Sequence, residues 1–479
     1  MPKCTIDGKS VEFQAGTNLI EVARSAGIEI PYYCYHPAMT VVAQCRMCAV
    51  EIEGMPKLQT ACSTAATDGM VVKTTSERAR SNQKSVQEFL LINHPLDCSI
   101  CDKAGECDLQ DFSFKYGSDK IRYEEVRRTF VDEDMGSVIK KNMNRCIHCT
   151  RCIRFGAEIA KIPEIVAVQR GNHTEIVTVE NKPLQTEYAG CYADICPTGS
   201  LTLKDFRFKK RVWYLKRTHT VCEGCSRGCN MELWWEKNDL YRCTPRTNME
   251  INKWWMCDEG RFNFHYVNDA RRVSAPWAKA GGSMHETGWM EATATATSVA
   301  DKGKTAILVG TDLTQEELTA LQAFAQKKGA PIFHFGTPGV TTSKDDVDTD
   351  GFLKRKSKTA NLHGAEKLGI APFSSLPAGT TSAVVFRGGR AVLPTLSGVP
   401  LVGVGVFFAE EVKLFDAILP GTSFAEKDGT IVNWNGTAQK LKTAIPPVGQ
   451  SKHLSEILSL LTGGASPRAT DSKAKEARV

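Results

Sequence analysis

The segment Arg145-Cys-Ile-His-Cys-Thr-Arg-Cys-Ile-Arg-Phe155 constrains this chain more than any other. Cys146, Cys149 and Cys152 fall every third residue, and a Cys-Pro pair follows at Cys196-Pro197. Three thiolates on one tight loop, with a remote fourth followed by proline, form the bacterial-type pattern for ligating a [4Fe–4S] cluster. Zinc is the alternative, but structural zinc prefers paired C-x2–4-C knuckles, and the repeated three-residue step suits a cubane better. Cys191 competes for the fourth place, and the proline directly after Cys196 favours Cys196.

Three more sets of soft ligands accompany this one. Cys34, Cys45, Cys48 and Cys62 follow one another as C-x10-C-x2-C-x13-C. Four thiolates in a small β-grasp-like module suit a [2Fe–2S] centre, with structural zinc as the competing reading. His94, Cys98, Cys101 and Cys107 make a third set. A histidine beside a proline is ordinarily a helix-end residue, but three cysteines directly after it point to a [4Fe–4S] centre with one neutral imidazole ligand. Cys222, Cys225, Cys229 and Cys257 complete a second remote-cysteine cubane pattern. Fifteen of the eighteen cysteines and one histidine then partition four per centre, leaving Cys4, Cys191 and Cys243 over. Trp234, Trp235, Trp254 and Trp255 flank Cys243, either as a shell limiting solvent at the last set or as ordinary core.

Disulfides belong mainly to small secreted domains, and the cysteines here lie in tight groups, none beyond Cys257. The opening residues read as a strand rather than a signal peptide, and the longest apolar run, near 399–409, is too short to span a bilayer. A reducing, cytoplasmic setting is expected. The formal net charge of +6 counts every cysteine as neutral. Four thiolate-ligated clusters would add roughly −7, so the loaded chain is near neutral and nucleic acid is not an expected partner. The basic run Arg207–Arg217, with Trp213 and Tyr214 inside it, reads as a solvated face or a docking surface.

The spacing predicts an α+β N-terminal ferredoxin-like (β-grasp) domain, then helical and small α+β iron–sulfur domains, then an α/β parallel-sheet C-terminal domain. Asp7-Gly8 marks a hairpin between strands at 4–7 and 10–13, and Leu19, Val22, Ala23 and Ala26 mark a helix capped by Thr17 or Asn18 and ended by Gly27. Val86, Phe89 and Leu90 share one face of a second helix, stopped by Pro95. Glu175–Val179 alternates as a strand. Further on, Thr305–Val309, a Thr314-x-x-Glu317 capping box, Leu318 and Leu321, Gly329 and Ile332–Phe335 spell strand, helix, strand, and Ala383–Phe386 and Leu401–Phe407 add strands. Gly403-x-Gly405 lacks the third glycine of a dinucleotide fingerprint, and no Walker loop is present. The expected boundaries are 1–78, 79–135, 136–214, 215–272 and 273–464, with a disordered tail at 465–479.

In order, Tyr32-Tyr-Cys-Tyr-His-Pro37, Cys45-Arg-Met-Cys48, His94-Pro-Leu-Asp-Cys98 and Asn144-Arg-Cys-Ile-His-Cys-Thr-Arg-Cys152 are highly specific, and over residues 1–270 the chain resembles the large iron–sulfur subunit of bacterial NADH:quinone oxidoreductase, respiratory complex I. The resemblance implies one [2Fe–2S] and three [4Fe–4S] clusters, the last of them off the main electron path and found in only some members. It implies electron relay from an FMN- and NADH-binding flavoprotein subunit towards a ferredoxin-like iron–sulfur subunit and quinone. Other peripheral-arm subunits would be further partners. The setting would be peripheral, on the cytoplasmic face of the bacterial inner membrane, without a membrane span. Phe415-Asp-Ala-Ile-Leu-Pro420, Glu426-Lys-Asp-Gly-Thr430 and Asn433 resemble a molybdopterin-oxidoreductase fold, shortened here and expected to hold no molybdopterin. Rival readings are a molybdenum formate dehydrogenase subunit, an iron-only hydrogenase, the diaphorase subunit of a bidirectional hydrogenase, and a zinc scaffold. The hydrogenase needs further cysteines downstream, and there are none.

Overall fold

The computed structural model describes residues 1–120 and 122–463. The expected tail at 465–479 lies outside the described residues. The chain divides into two units, Met1–Tyr214 and a second beginning at Leu215.

The first unit opens on the hairpin that Asp7-Gly8 calls for. Both turn residues have positive φ, 47° and 82°, the geometry that matches the twist of two paired strands. The strands are Lys3–Ile6 and Lys9–Glu12. Ile6 also pairs in parallel with Val72, and the five-stranded sheet is completed by Ala49–Ile52 and Gln59–Thr60. The helix Leu19–Ser25 is capped by the Asn18 side chain, which accepts from the Glu21 N–H, and buries Leu19, Ile20, Val22 and Ala23 on the sheet. Cys4 is a member of this apolar core.

The second helix, Glu77–Leu91, corrects one expectation. Phe89 is 74 % exposed, and the inward stripe is Ala79, Gln83 and Gln87, spaced by four. Gln87 is held inside by accepting the Tyr33 hydroxyl proton at 2.7 Å, while Val86 and Leu90 pack, partly buried, against the cluster of Tyr33, Met47, Cys107 and Leu109 as sequence suggested. The strand Glu175–Thr178 forms as expected, paired with Ile165–Val168.

In the second unit the strands Lys216–Val221, Asn230–Glu236 and Asp239–Pro245 make an antiparallel meander. Beyond it lies an eight-stranded sheet. Its parallel part runs Ala417–Pro420, Leu401–Gly405, Ser382–Arg387, Thr305–Gly310, Ile332–Phe335, Ala371–Pro372 across the sheet. In chain order that is 6-5-4-1-2-3, the doubly wound arrangement whose ligand crevice opens at the carboxyl ends of the first and fourth strands. Helices Trp289–Ala300, Gln315–Lys328 and Leu454–Leu461 share one apolar face. Thr314 forms the capping box with Glu317, and Gly329 ends that helix at φ 60°.

Candidate metal centres

None of the eighteen cysteines, all of them described residues, is joined in a disulfide. Two non-glycine residues inside the Cys146–Cys152 loop, His148 and Thr150, adopt left-handed φ of 54° and 58°. Such conformations cost energy in non-glycine residues and persist where the surroundings enforce them. Here they curl the loop so that Cys146, Cys149, Cys152 and Cys196 line one small cavity together with Pro197 and Thr198. Cys191 does not line it and is buried in the helix Ala189–Ile195. The four residues are partly exposed as a whole, yet the thiols of Cys146, Cys149 and Cys152 are desolvated. That desolvation pushes the thiols of Cys146 and Cys149 up to about 12 and about 11. The His148 N–H donates to Cys146 Sγ at 3.4 Å.

The first set is gathered as two pairs. The Cys34 thiol shares its proton with the Cys45 sulfur, which holds Cys45 down at about 5. Cys48 does the same for Cys62, lowering it. Repulsion from Cys34 and Cys45 reaches Cys62, so all four sulfurs occupy one neighbourhood. Tyr33 N–H donates to Cys45 Sγ at 3.4 Å, and Arg46, at φ 61°, turns the chain between Cys45 and Cys48.

His94, Cys98 and Cys107 line a cleft of about 460 Å³. Cys101 does not line the cleft; it couples to Cys107 and Cys98, and its sulfur lies against Gly199. Burial and the charges of Arg145 and Arg127 lower His94 to about 4, so its ring is neutral at physiological pH. Its Nδ1 is buried with no hydrogen-bond partner. A buried lone pair left unmatched is costly, and beside soft donors it is what a metal ligand looks like before loading. Burial also pushes Cys107 up to about 12.

In the second unit Cys222, Cys225, Cys229 and Cys257 are buried and mutually repelling. Gly260 is the cradle of this set: a Cβ there would meet Cys222 Sγ at 2.9 Å and Cys257 Sγ at 3.5 Å. Cys257 caps the helix Asp258–Phe262 and accepts the Gly260 N–H at 3.4 Å, while Gly224 N–H donates to Cys222 Sγ at 3.3 Å. Burial drives Cys222 and Cys229 well above the ordinary thiol range and Cys257 up to about 12. Cys243 packs in the same apolar core as Cys222 and Cys229. Trp255 is fully buried and Trp234 nearly so.

Among the described residues no three His, Cys, Asp or Glu side chains close on one point as for a single ion. Thiolates round a sulfide-bridged core stand further apart than the ligands of one zinc atom, which each approach to about 2.3 Å. The donor sets fit clusters by their chemistry: soft ligands, N–H donors aimed at sulfur, and thiols that lose their protons on metal binding.

The three sets of the first unit are also locked together. Arg154 donates to the carbonyls of both Cys34 and Cys149, and Arg151 to those of Tyr35 and Ile195. Arg145 pairs with Asp97 at 2.8 Å, and Arg127 donates to the His94 carbonyl at 2.9 Å. Sequence reasoning passed over these arginines. Their signal was faint: Arg145, Arg151 and Arg154 flank and interleave the cysteine triplet, while Arg127 lies outside any ligand loop.

Five family models match in succession. They are a 2Fe-2S iron-sulfur cluster binding domain (3–77), the NADH-ubiquinone oxidoreductase-G iron-sulfur binding region (83–122) and the NADH-quinone oxidoreductase subunit 3 ferredoxin-like domain (136–202). The molybdopterin oxidoreductase Fe4S4 domain (215–269) and molybdopterin oxidoreductase (402–463) follow. The NADH-quinone oxidoreductase G subunit of Rickettsia felis is 39% identical over 336 residues, 69% of this chain and 50% of the relative. Over this matched 69% of its length the chain is similar to NADH-quinone oxidoreductase G subunits. The mitochondrial NADH-ubiquinone oxidoreductase 78 kDa subunit of Candida albicans is 38% identical over 74% of this chain and 50% of its own length. The chain thus spans about half the length of these curated relatives. A crystal structure of NAD+-reducing [NiFe]-hydrogenase in the H2-reduced state aligns with 28% identity and a TM-score of 0.40, over 44% of this chain and 91% of that one.

At the carboxyl end of the doubly wound sheet the chain caps its own backbone donors. Asp312, just past the first strand, accepts the backbone N–H groups of Gly388, Arg390 and Ala391 at 3.0, 2.6 and 2.8 Å. Those donors follow the fourth strand, where such folds present N–H groups to a ligand phosphate. Tyr266 packs on Gly389, whose added Cβ would stand 2.7 Å from the ring.

Proposed function

We propose that this chain is an electron-relay subunit of an NADH:quinone oxidoreductase. In this reading Cys34, Cys45, Cys48 and Cys62 hold a [2Fe–2S] cluster. His94, Cys98, Cys101 and Cys107 hold one [4Fe–4S] cluster, Cys146, Cys149, Cys152 and Cys196 a second, and Cys222, Cys225, Cys229 and Cys257 a third. Each bound cluster supplies a site that takes up and returns one electron. The polypeptide fixes the spacing between sites, excludes water and aims N–H groups at sulfur.

The observation that supports this above the others is the convergence of four donor sets, three of them tied by Arg145, Arg151 and Arg154 into one body. An FMN-bearing, NADH-oxidising flavoprotein subunit would deliver electrons. A ferredoxin-like iron–sulfur subunit and further peripheral-arm subunits would carry them on towards quinone. Among the described residues no helix is long and apolar enough to cross a membrane. We place the chain peripherally, on the cytoplasmic face of a bacterial inner membrane. In this reading the parallel-sheet region serves as scaffold without a pterin, supported by Asp312 taking the N–H groups of Gly388, Arg390 and Ala391 that follow the fourth strand. Iron and acid-labile sulfide analysis of anaerobically purified protein, followed by an EPR-monitored redox titration, tests the proposal. About fourteen irons and sulfides per chain and four resolvable centres are expected. Zinc, or molybdenum with a pterin, would overturn it.

A further inference from the structure

The Glu259 carboxylate lies two residues past Cys257 and faces three cations from the parallel-sheet region. Lys358 Nζ is 2.7 Å from it, Arg390 3.5 Å and Lys354 4.0 Å. All four side chains are about a third exposed or less, so water screens them only in part. Two of these cations belong to a segment that also grips the cysteine loop. The Arg355 backbone N–H donates to Cys225 Sγ, beside that of Arg227. Ser226 N–H donates to the Ser357 carbonyl at 3.1 Å, and the Ser226 hydroxyl donates to Asp346 at 2.5 Å. Asp346 in turn accepts the Ser357 N–H at 3.0 Å. Arg227 reaches the Leu353 carbonyl and the Asp348 carboxylate, both at 2.9 Å. The Lys358 charge favours the Cys225 thiolate and the Lys354 charge the Cys257 thiolate, while Glu259 opposes both.

We propose that Lys354, Lys358 and Arg390, held there by a segment whose Arg355 is already paired with Asp346 and Asp348, form an electrostatic collar that raises the redox potential of the cluster held by Cys222, Cys225, Cys229 and Cys257, and that Glu259 opposes it. The proposal rests on those cysteines holding a [4Fe–4S] cluster. Reduction adds one electron from the reductant to the cluster, and no covalent bond is made or broken. The core becomes more negative, so three cations set against the one Glu259 carboxylate beside it favour the reduced form. The parallel-sheet region then acts on electron transfer as well as supporting the fold.

The test is an EPR-monitored redox titration of the full-length, cluster-loaded chain, with iron and sulfide counted on each sample. Lys358→Gln moves the midpoint of this centre negative, Glu259→Gln moves it positive, and the double variant lies between. The other three centres keep their midpoints. A merely structural role would lower iron content or shift both variants the same way. No shift, or shifts of one sign, with iron intact overturns the proposal. If Lys358→Gln loses the cluster, Lys354→Gln and Arg390→Gln carry the same expected negative shift, and its absence in them is equally decisive. A wild-type chain lacking the iron and signal of this centre would instead sink the ligand assignment beneath it.

Discussion

Replacing Gly199 by alanine gives the sharpest test of how the ligand sets interlock. The added Cβ would stand 2.1 Å from Cys101 Sγ, 3.3 Å from Lys103 Cβ and 3.5 Å from Arg145 Cδ. Ordinary contact needs about 3.7 Å, so the sulfur or the loop must yield by about 1.6 Å. The Gly199 backbone is held on both sides. Asn142 N–H donates to the Ser200 carbonyl at 2.8 Å, the Thr198 hydroxyl donates to the Arg145 carbonyl at 2.8 Å, and the strand Leu201–Leu203 follows. The sulfur therefore moves. A ligand set tolerates only about 0.5 Å of misplacement, and overpacking costs about 1–3 kcal/mol besides. The variant should lose the histidine-ligated centre and about four of about fourteen irons, with the other EPR signals retained. Gly288→Ala, where a Cβ meets nothing within 4 Å, is the control and keeps all of them. Full iron content and an unchanged spectrum in Gly199→Ala would refute the packing argument and the place given to Cys101.

Three further outcomes follow from the same geometry. Cys196→Ala should abolish the centre at Cys146, Cys149 and Cys152 while Cys191→Ala leaves its EPR signal intact, because only Cys196 lines that cavity. Glu426→Ala should cost about 3–5 kcal/mol in the unfolding transition of the second unit, followed by denaturant, since it strands Arg272, paired with Glu426 at 2.7 Å and equally inaccessible; a loss below about 1 kcal/mol would contradict the buried pair. Cys107 and Cys257 are raised from about 9 to about 12, so the iron-free fold keeps protons that the unfolded chain releases. The stabilisation this gives is whole below about pH 9 and is lost as pH climbs towards 12. Melting temperatures of the iron-free chain should therefore fall across that range more steeply than those of the loaded chain, whose thiolates have already lost their protons; parallel slopes would argue against it.

Much of the local structure was legible because it depends on neighbours in sequence. The Asp7-Gly8 turn, the Asn18 cap, the Thr314–Glu317 box and the strands at 305 and 332 each follow from a few adjacent side chains and their backbone preferences. The cysteine triplets belong to the same class, since a two-residue gap already limits where three sulfurs can point. Helix Glu77–Leu91 was only half legible: Val86 and Leu90 pack as their spacing suggests, but its fully buried positions are an alanine and two glutamines, one of which, Gln87, is met by Tyr33, 54 residues away.

Sequence by itself therefore determined which residues are soft donors, how they group, and the order of strands and helices that carries them. Tertiary structure decided what meets each group: that Cys196 rather than Cys191 lines the cavity, that His94 keeps an unmatched nitrogen, and that Asp312 takes the N–H groups after the fourth strand of the parallel sheet. It also decided that Lys354, Lys358 and Arg390 meet Glu259 beside a cysteine set about a hundred residues earlier. The physical reason is range. Turn, cap and loop preferences act within a few residues, whereas desolvation, charge and the pairing of buried polar atoms depend on whatever the folded chain brings near, which no local spacing records.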